Sequence, residues 1–190
     1  PFSKETGLTP PRFKADIVTI SHSHPHLQKE SIPESPFVIQ GPGEYEVRGV
    51  MIRGIETYHD DTAGKEHGLN TAYIIEIDGM SIAHMGDFGE EKLRGETIEA
   101  LGDIDILLIP IGERLTIGPK VAKKCIQDIE PRIVIPMGYK ITDLKLPAEP
   151  LEPFLKEMGV RTKTEEDRLT IKKKDLPQTE ETKVIILKMA

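Results

Sequence analysis

Two segments in the second half of the chain leave little freedom in the choice of fold. Residues 104–110, Ile-Asp-Ile-Leu-Leu-Ile-Pro, and residues 132–136, Arg-Ile-Val-Ile-Pro, are almost continuously apolar. A strand with one wet face alternates apolar and polar residues; unbroken runs like these predict strands covered on both faces. Helical patterns at 91–101, 119–129 and 151–158 supply the cover, with Gly102 and Gly159 as stops and Pro119 suited to a first turn. This half therefore reads as strands alternating with helices, an α/β arrangement.

The first half is richer in strands. Runs at 15–20, 37–40, 45–47, 50–58, 71–77 and 81–84 have β character, and Gly41-Pro42-Gly43 marks a turn between two of them. Asp78-Gly79 predicts a two-residue hairpin turn, because both residue types tolerate positive φ. Residues 168–172 and 183–187 are expected to close the chain as strands, with the lysine run 172–174 as a solvated strand end. No internal repeat or low-complexity linker interrupts the pattern. The expectation is one domain over residues 1–190, built of two half-domains at roughly 1–90 and 91–190, with two sheets and helices packed outside them.

Bulk properties narrow the function classes. A net charge of −7 argues against a general nucleic-acid binder, whose surface must neutralise phosphates. No apolar run reaches the length of a membrane span, and no signal peptide is recognised. The single cysteine, Cys125, cannot form an intramolecular disulfide, which fits a reducing cytoplasm, and within the helical pattern 119–129 it reads as packed. The chain opens Pro1-Phe2-Ser3 without a methionine, so its start reads as incomplete or processed.

The chemistry gathers at strand ends. Ser21-His22-Ser23-His24-Pro25-His26 follows the first strand, and histidines two apart on an extended chain can face one ion together. Alone, such a pair also fits a surface loop that happens to be rich in histidine. His59 follows the strand at 50–58, and Asp87 follows the hairpin strand in His84-Met85-Gly86-Asp87. Gly86 and Gly89 flank that acid and allow the backbone to approach closely. The strand at 132–136 runs into Met137-Gly138-Tyr139.

This order of motifs resembles the metallo-β-lactamase superfamily: a His-x-His loop, a histidine after a strand, a Gly-Asp after a hairpin, then a buried strand ending in Pro-Met-x-Tyr. It is most similar to the zinc-dependent hydrolase branch that includes ascorbate-6-phosphate lactonase relatives. Residues 15–18, the Gly41-Pro42-Gly43-Glu44-Tyr45-Glu46 segment, Asn70-Thr71 with Tyr73, and residues 105–110 support the likeness, which extends from Pro1 to about Tyr139. The resemblance implies an α/β (α+β) fold, an αββα four-layer sandwich. It also implies two further strands ahead of Pro1, about thirty residues in an ordinary hairpin.

The resemblance also assigns roles. His22, His24 and His59 would hold one metal, and Asp87 would bridge toward a second and serve in catalysis. The family's first motif is His-x-His-x-Asp-His; here His26 stands at the aspartate position and Leu27 at the last histidine. Gly138 stands where active members carry the histidine of Pro-x-His-Tyr. His26 is expected to compensate in part as a metal ligand, and the second site is degenerate. One zinc ion is expected, with manganese or iron as substitutes.

The function implied is hydrolysis of a small ester, lactone or phosphodiester by a cytoplasmic enzyme with no nucleic-acid or membrane partner, its oligomeric state left open. The rival reading is a non-catalytic scaffold of the same fold with a structural or relic ion. Around the site, Asp60 is read as a partner orienting a histidine, His67 as solvent-facing near the cleft, and Tyr139 as packing.

Overall fold

The computed structural model describes residues 6–8, 14–23, 36–178 and 181–188. His24, His26 and Leu27 lie outside the described residues. The early strands are β1 (Ile17–Ile20), β2 (Phe37–Gln40), β3 (Gly43–Val47), β4 (Val50–Tyr58), β5 (Leu69–Ile77) and β6 (Met80–His84). Strands and helices then alternate: α1 (Gly95–Leu101), β7 (Ile106–Pro110), α2 (Pro119–Ile129), β8 (Ile133–Met137) and α3 (Glu152–Glu157). Three two-residue strands close the chain, β9 (Glu165–Glu166), β10 (Lys183–Val184) and β11 (Ile186–Leu187).

Seven strands form one mixed sheet in the order β10-β8-β7-β6-β5-β4-β3. The meander from β3 to β6 is antiparallel, whereas β6, β7, β8 and β10 run parallel. The β5–β6 turn at Asp78-Gly79 has φ values of 51° and 72°, the positive angles that its sequence predicts. β1 and β2 pair with each other in parallel, as do β9 and β11.

Alternation along the strands sorts the core into layers. Ala72, Ile74, Ala83, Met85, Leu107, Ile109 and Val134 turn to the face that all three α-helices cover, meeting Leu101, Ala122, Ile126 and Phe154. On the other face, Ile106, Ile133 and Ile135 pack with Leu176 and Ile185, and Ile52 and Tyr73 pack with Ile39. Helices, large sheet and short paired strands thus lie in succession, the mixed α/β class expected. Cys125 is buried in the helical layer, and burial pushes its thiol up to about 12, the packed role expected.

Some elements differ from expectation. α1 begins at Gly95 rather than residue 91. The preceding turn is diverted instead into a clamp on β4: Glu90 Oε1 accepts the Tyr58 N–H at 3.1 Å, and Arg94 donates to Glu56 O at 2.7 Å. Residues 168–172 form no strand. Their alternation is real, because Leu169 and Ile171 pack against the Ile106–Ile133 cluster, but side-chain burial there comes without ladder pairing. Lys173 is not a free strand end: it starts a short 3-10 turn and its Nζ lies 2.7 Å from Asp105 Oδ2. The expected strand at 183–187 is broken at Ile185, with β10 joining the large sheet and β11 pairing with β9.

Because β6, β7 and β8 are parallel, their C-terminal ends share one edge of the sheet. β4 ends at the same edge, since Tyr58 pairs with Leu69 at the start of β5. This edge is where open α/β sheets place ligands.

Candidate metal centre

Three loops meet at that edge. The first leaves β1: Tyr73 Oη donates to Ile20 O at 2.9 Å, and Thr71 N–H donates to Ser21 O at 2.7 Å. These bonds fix the chain just before His22. The second loop leaves β4 and carries His59. The third leaves β6 and carries Asp87.

The three side chains converge on one point. His22 Nε2 lies 3.5 Å from Asp87 Oδ2, and His59 Nε2 lies 3.3 Å from the same oxygen. The rings of His22 and His59 meet edge-on with centroids 4.7 Å apart. One donor atom from each of the three residues falls within 4.8 Å of the others, a spacing that a single divalent ion can span.

Close approach depends on the two glycines. Gly86 sits at φ 61°, and a Cβ there would fall 2.4 Å from Asn70 Oδ1 and 2.7 Å from Ser21 Cβ. A Cβ on Gly89 would fall 2.3 Å from both the carbonyl carbon and oxygen of His59. Neither distance is compatible with a side chain, so glycine at both positions lets the Asp87 loop seat against the His22 and His59 loops.

Asn70, fully buried on β5, locks the Asp87 loop. Its Oδ1 accepts the Asp87 N–H at 3.0 Å, and its Nδ2 donates to Thr57 Oγ1 at 2.7 Å and to Met85 O at 2.8 Å. In the sequence Asn70 counts only toward the family likeness. A lone asparagine in a strand carries no spacing signature; its one signal is a polar residue in an otherwise apolar run.

Electrostatics follow from this packing. Burial disfavours the Asp87 carboxylate, but the His59 hydrogen bond and the two imidazoles outweigh it and hold the carboxyl below its usual range. Burial likewise disfavours protonated His59, and the hydrogen bond and charge of Asp87 outweigh it, raising the imidazole above its ordinary value. His59 Nδ1 is buried with no hydrogen-bond partner among the described residues. Two imidazoles and a carboxylate are donors that zinc accepts, so the residues present fit a divalent metal.

The neighbours take definite parts. Among the described residues, Asp60 orients no histidine ring. Its carboxylate accepts from Thr62 N and Oγ1, Gly64 N, Glu66 N and His67 N, organising the loop after β4. Burial opposes its charge, yet these donors hold its pKa far below the ordinary range. His67 is exposed at the rim, its ring 5.4 Å from that of His59. Tyr139 packs against the helical core. His84 lines the same cavity as His22 and Asp87, and so does Gly138.

Comparison with known proteins bears on the same residues. Residues 1–138 match the model of the β-lactamase superfamily domain. A metal-dependent hydrolase of Thermococcus onnurineus is 32% identical, with the match covering 79% of this chain and 77% of that protein. A metal-dependent hydrolase of Methanosarcina mazei is 33% identical, with 76% of each chain covered. Among solved structures, a Thermotoga maritima protein assigned to the Zn-dependent hydrolases of the metallo-β-lactamase superfamily superposes with a TM-score of 0.74 at 34% identity. That match covers 98% of this chain and 86% of the other.

Proposed function

The chain belongs to the metallo-β-lactamase superfamily, and from that premise we propose that it is a hydrolase of a small ester, lactone or phosphodiester, working with one zinc ion. The observation that carries this reading is the convergence of His22 Nε2 and His59 Nε2 on a single oxygen of Asp87, at 3.5 and 3.3 Å. His22, His59 and Asp87 would hold the ion, with His24 and His26 as further ligands by the motif. When bound, the ion supplies Lewis acidity and brings the pKa of a water molecule to about 7.

The protein's own groups do the rest. Asp87 stays ionised, which suits it to accept a proton from the attacking water. A bond forms from the water oxygen to the electrophilic carbon or phosphorus, and the bond to the departing oxygen breaks. The proton held at Asp87 then passes to that departing oxygen. Asn70 and the two glycines hold the carboxylate where both transfers can occur. No helix among the described residues is long and apolar enough to cross a membrane, and the net charge of −7 suits a small-molecule substrate better than a nucleic acid.

A second reading has its own observation. Gly138 offers no side chain where active members of the family carry a ligand, which favours a scaffold with a structural ion. Turnover separates the two. Zinc-loaded protein should hydrolyse at least one member of a panel of nitrophenyl esters, lactones and phosphodiesters, and Asp87→Asn should lower that rate by about 10²–10⁴-fold. Zinc-loaded protein with no turnover above the zinc-free control on any of them would leave the scaffold.

A further inference from the structure

A cavity of about 670 Å³ is lined in part by His22 and Asp87 of the candidate metal centre. Its size is that of a small-molecule site. Its chemistry is divided: His22, His84 and Asp87 mark one end, whereas Val18, Leu115, Ile135, Leu144 and Leu146 are among the apolar side chains that form the walls. Among the described residues lining it, the only cation is Lys188, and its Nζ is already 3.0 Å from Asp167 Oδ1. Phosphate-recognising sites are built from arginine forks, lysines or clustered backbone donors. Among the described residues, these walls offer a phosphate diester no such free cation.

His84 adds a neutral donor at the polar end. The Gly86 N–H donates to His84 Nδ1 at 3.0 Å, so Nδ1 is an acceptor and the ring proton resides on Nε2. No acceptor among the described residues engages that N–H. Burial keeps the imidazole neutral despite the nearby charge of Asp87. A neutral N–H on a residue that lines this largely apolar cavity suits an uncharged carbonyl oxygen, on which negative charge builds during attack.

Resting on the hydrolase reading above, we propose that this cavity is an acyl chamber for a neutral carboxylic ester or lactone with an apolar body, whose carbonyl oxygen is held by His84 Nε2–H. The walls remove the apolar body from water, and the polar end presents the acyl carbon to the Asp87 side. Hydrolysis there forms the water oxygen–acyl carbon bond and breaks the acyl carbon–alkoxy oxygen bond. One water proton moves by way of Asp87 to the alkoxy oxygen.

The test is a binding experiment that needs no turnover. Octanamide, a neutral carbonyl compound with an apolar body, and diethyl phosphate are each titrated by calorimetry into the purified protein, with zinc content measured on the same samples. Octanamide should bind with one-to-one saturation, and diethyl phosphate should bind at least about tenfold more weakly. Ala148→Phe, which fills the chamber, and Leu146→Asp, which charges its wall, should each weaken octanamide about tenfold or more. His84→Leu should weaken it about 3–10-fold and His84→Gln, which keeps a donor, should restore most of that loss. Diethyl phosphate binding as tightly as octanamide, or octanamide binding unchanged in all three disruptive variants, would overturn the proposal. Protein that binds octanamide as described yet takes up no zinc keeps the chamber and removes the metal-hydrolase reading.

Discussion

The backbone N–H of Asp87 is held by the side-chain oxygen of Asn70 at 3.0 Å, so the candidate proton acceptor is positioned by a residue buried in the neighbouring strand. The Asn70 amide group spends its two protons on Thr57 Oγ1 and Met85 O. One side chain thus ties the ends of β4, β5 and β6 together beneath the site.

Replacing Asn70 with leucine removes all three bonds while keeping the volume. We expect a stability loss of about 2–4 kcal/mol, since buried partners are left unpaired. Zinc affinity should fall about 10–100-fold, as is usual when the support of a ligand is lost. Urea unfolding and competition with a zinc chelator measure the two; an unchanged affinity would remove Asn70 from the positioning role.

Gly89 makes a sharper version of the same point. Because an added Cβ would meet the His59 carbonyl at 2.3 Å, Gly89→Ala must displace either loop. Zinc affinity is expected to drop about tenfold or more, whereas an alanine at the exposed Gly95, which has open space around it, should leave affinity within about twofold. Equal affinities for the two variants would show that loop contact is not limiting.

Much of this arrangement is legible in the sequence, and the exceptions have physical causes. β4 and α2 match the expected spans end to end, because regular patterning and a proline at the first helical turn mark their limits. Asp87 and His59 stand out because each follows a strand, Asp87 between Gly86 and Gly89 and His59 ahead of Asp60 and Asp61. The start of α1 is not legible, since Glu90 and Arg94 use their side chains on β4. Residues 168–172 mislead for a different reason: alternation reports which side chains are buried, not whether the backbone finds a partner strand. Tertiary bonds such as Asn70 to Asp87 depend on chain crossings that no local pattern encodes. His24 and His26 fall outside the described residues, so their place in the ligand set rests on the motif.

At the opposite edge of the sheet, Asp105 is bound by Lys173 at 2.7 Å, the Ser81 N–H at 3.0 Å and Arg132 at 3.3 Å. Burial works against its charge, and these partners outweigh it, leaving the carboxyl below its ordinary range. A carboxyl depressed in the folded state contributes stability above its unfolded pKa of about 3.9 and loses it as pH falls through the folded value. Asp105→Asn should therefore cost about 1–3 kcal/mol near neutral pH, and the gap to the parent should close below about pH 4. Thermal melts across that pH range check it; a gap that widens in acid would contradict the assignment.

Gly138 lies at φ 69°, yet the nearest heavy atoms to an added Cβ are Pro110 Cβ at 3.7 Å and Pro110 Cα at 3.9 Å. A Cβ there therefore meets no clash, and a side chain bears backbone strain of about 1–2 kcal/mol. If the second metal site is degenerate for want of this ligand, Gly138→His should raise zinc uptake above that of the parent at saturating metal. Unchanged stoichiometry would place the deficit elsewhere, at Leu27 or in the loop around it.

The central claim is that His22, His59 and Asp87 are metal ligands, and elemental analysis of protein purified without chelator tests it most directly. The account predicts about one zinc, manganese or iron per chain in the parent, with the metal lost in His59→Ala and in Asp87→Ala while both variants remain folded by circular dichroism. Parent protein that is metal-free and takes up none when zinc is supplied would contradict it.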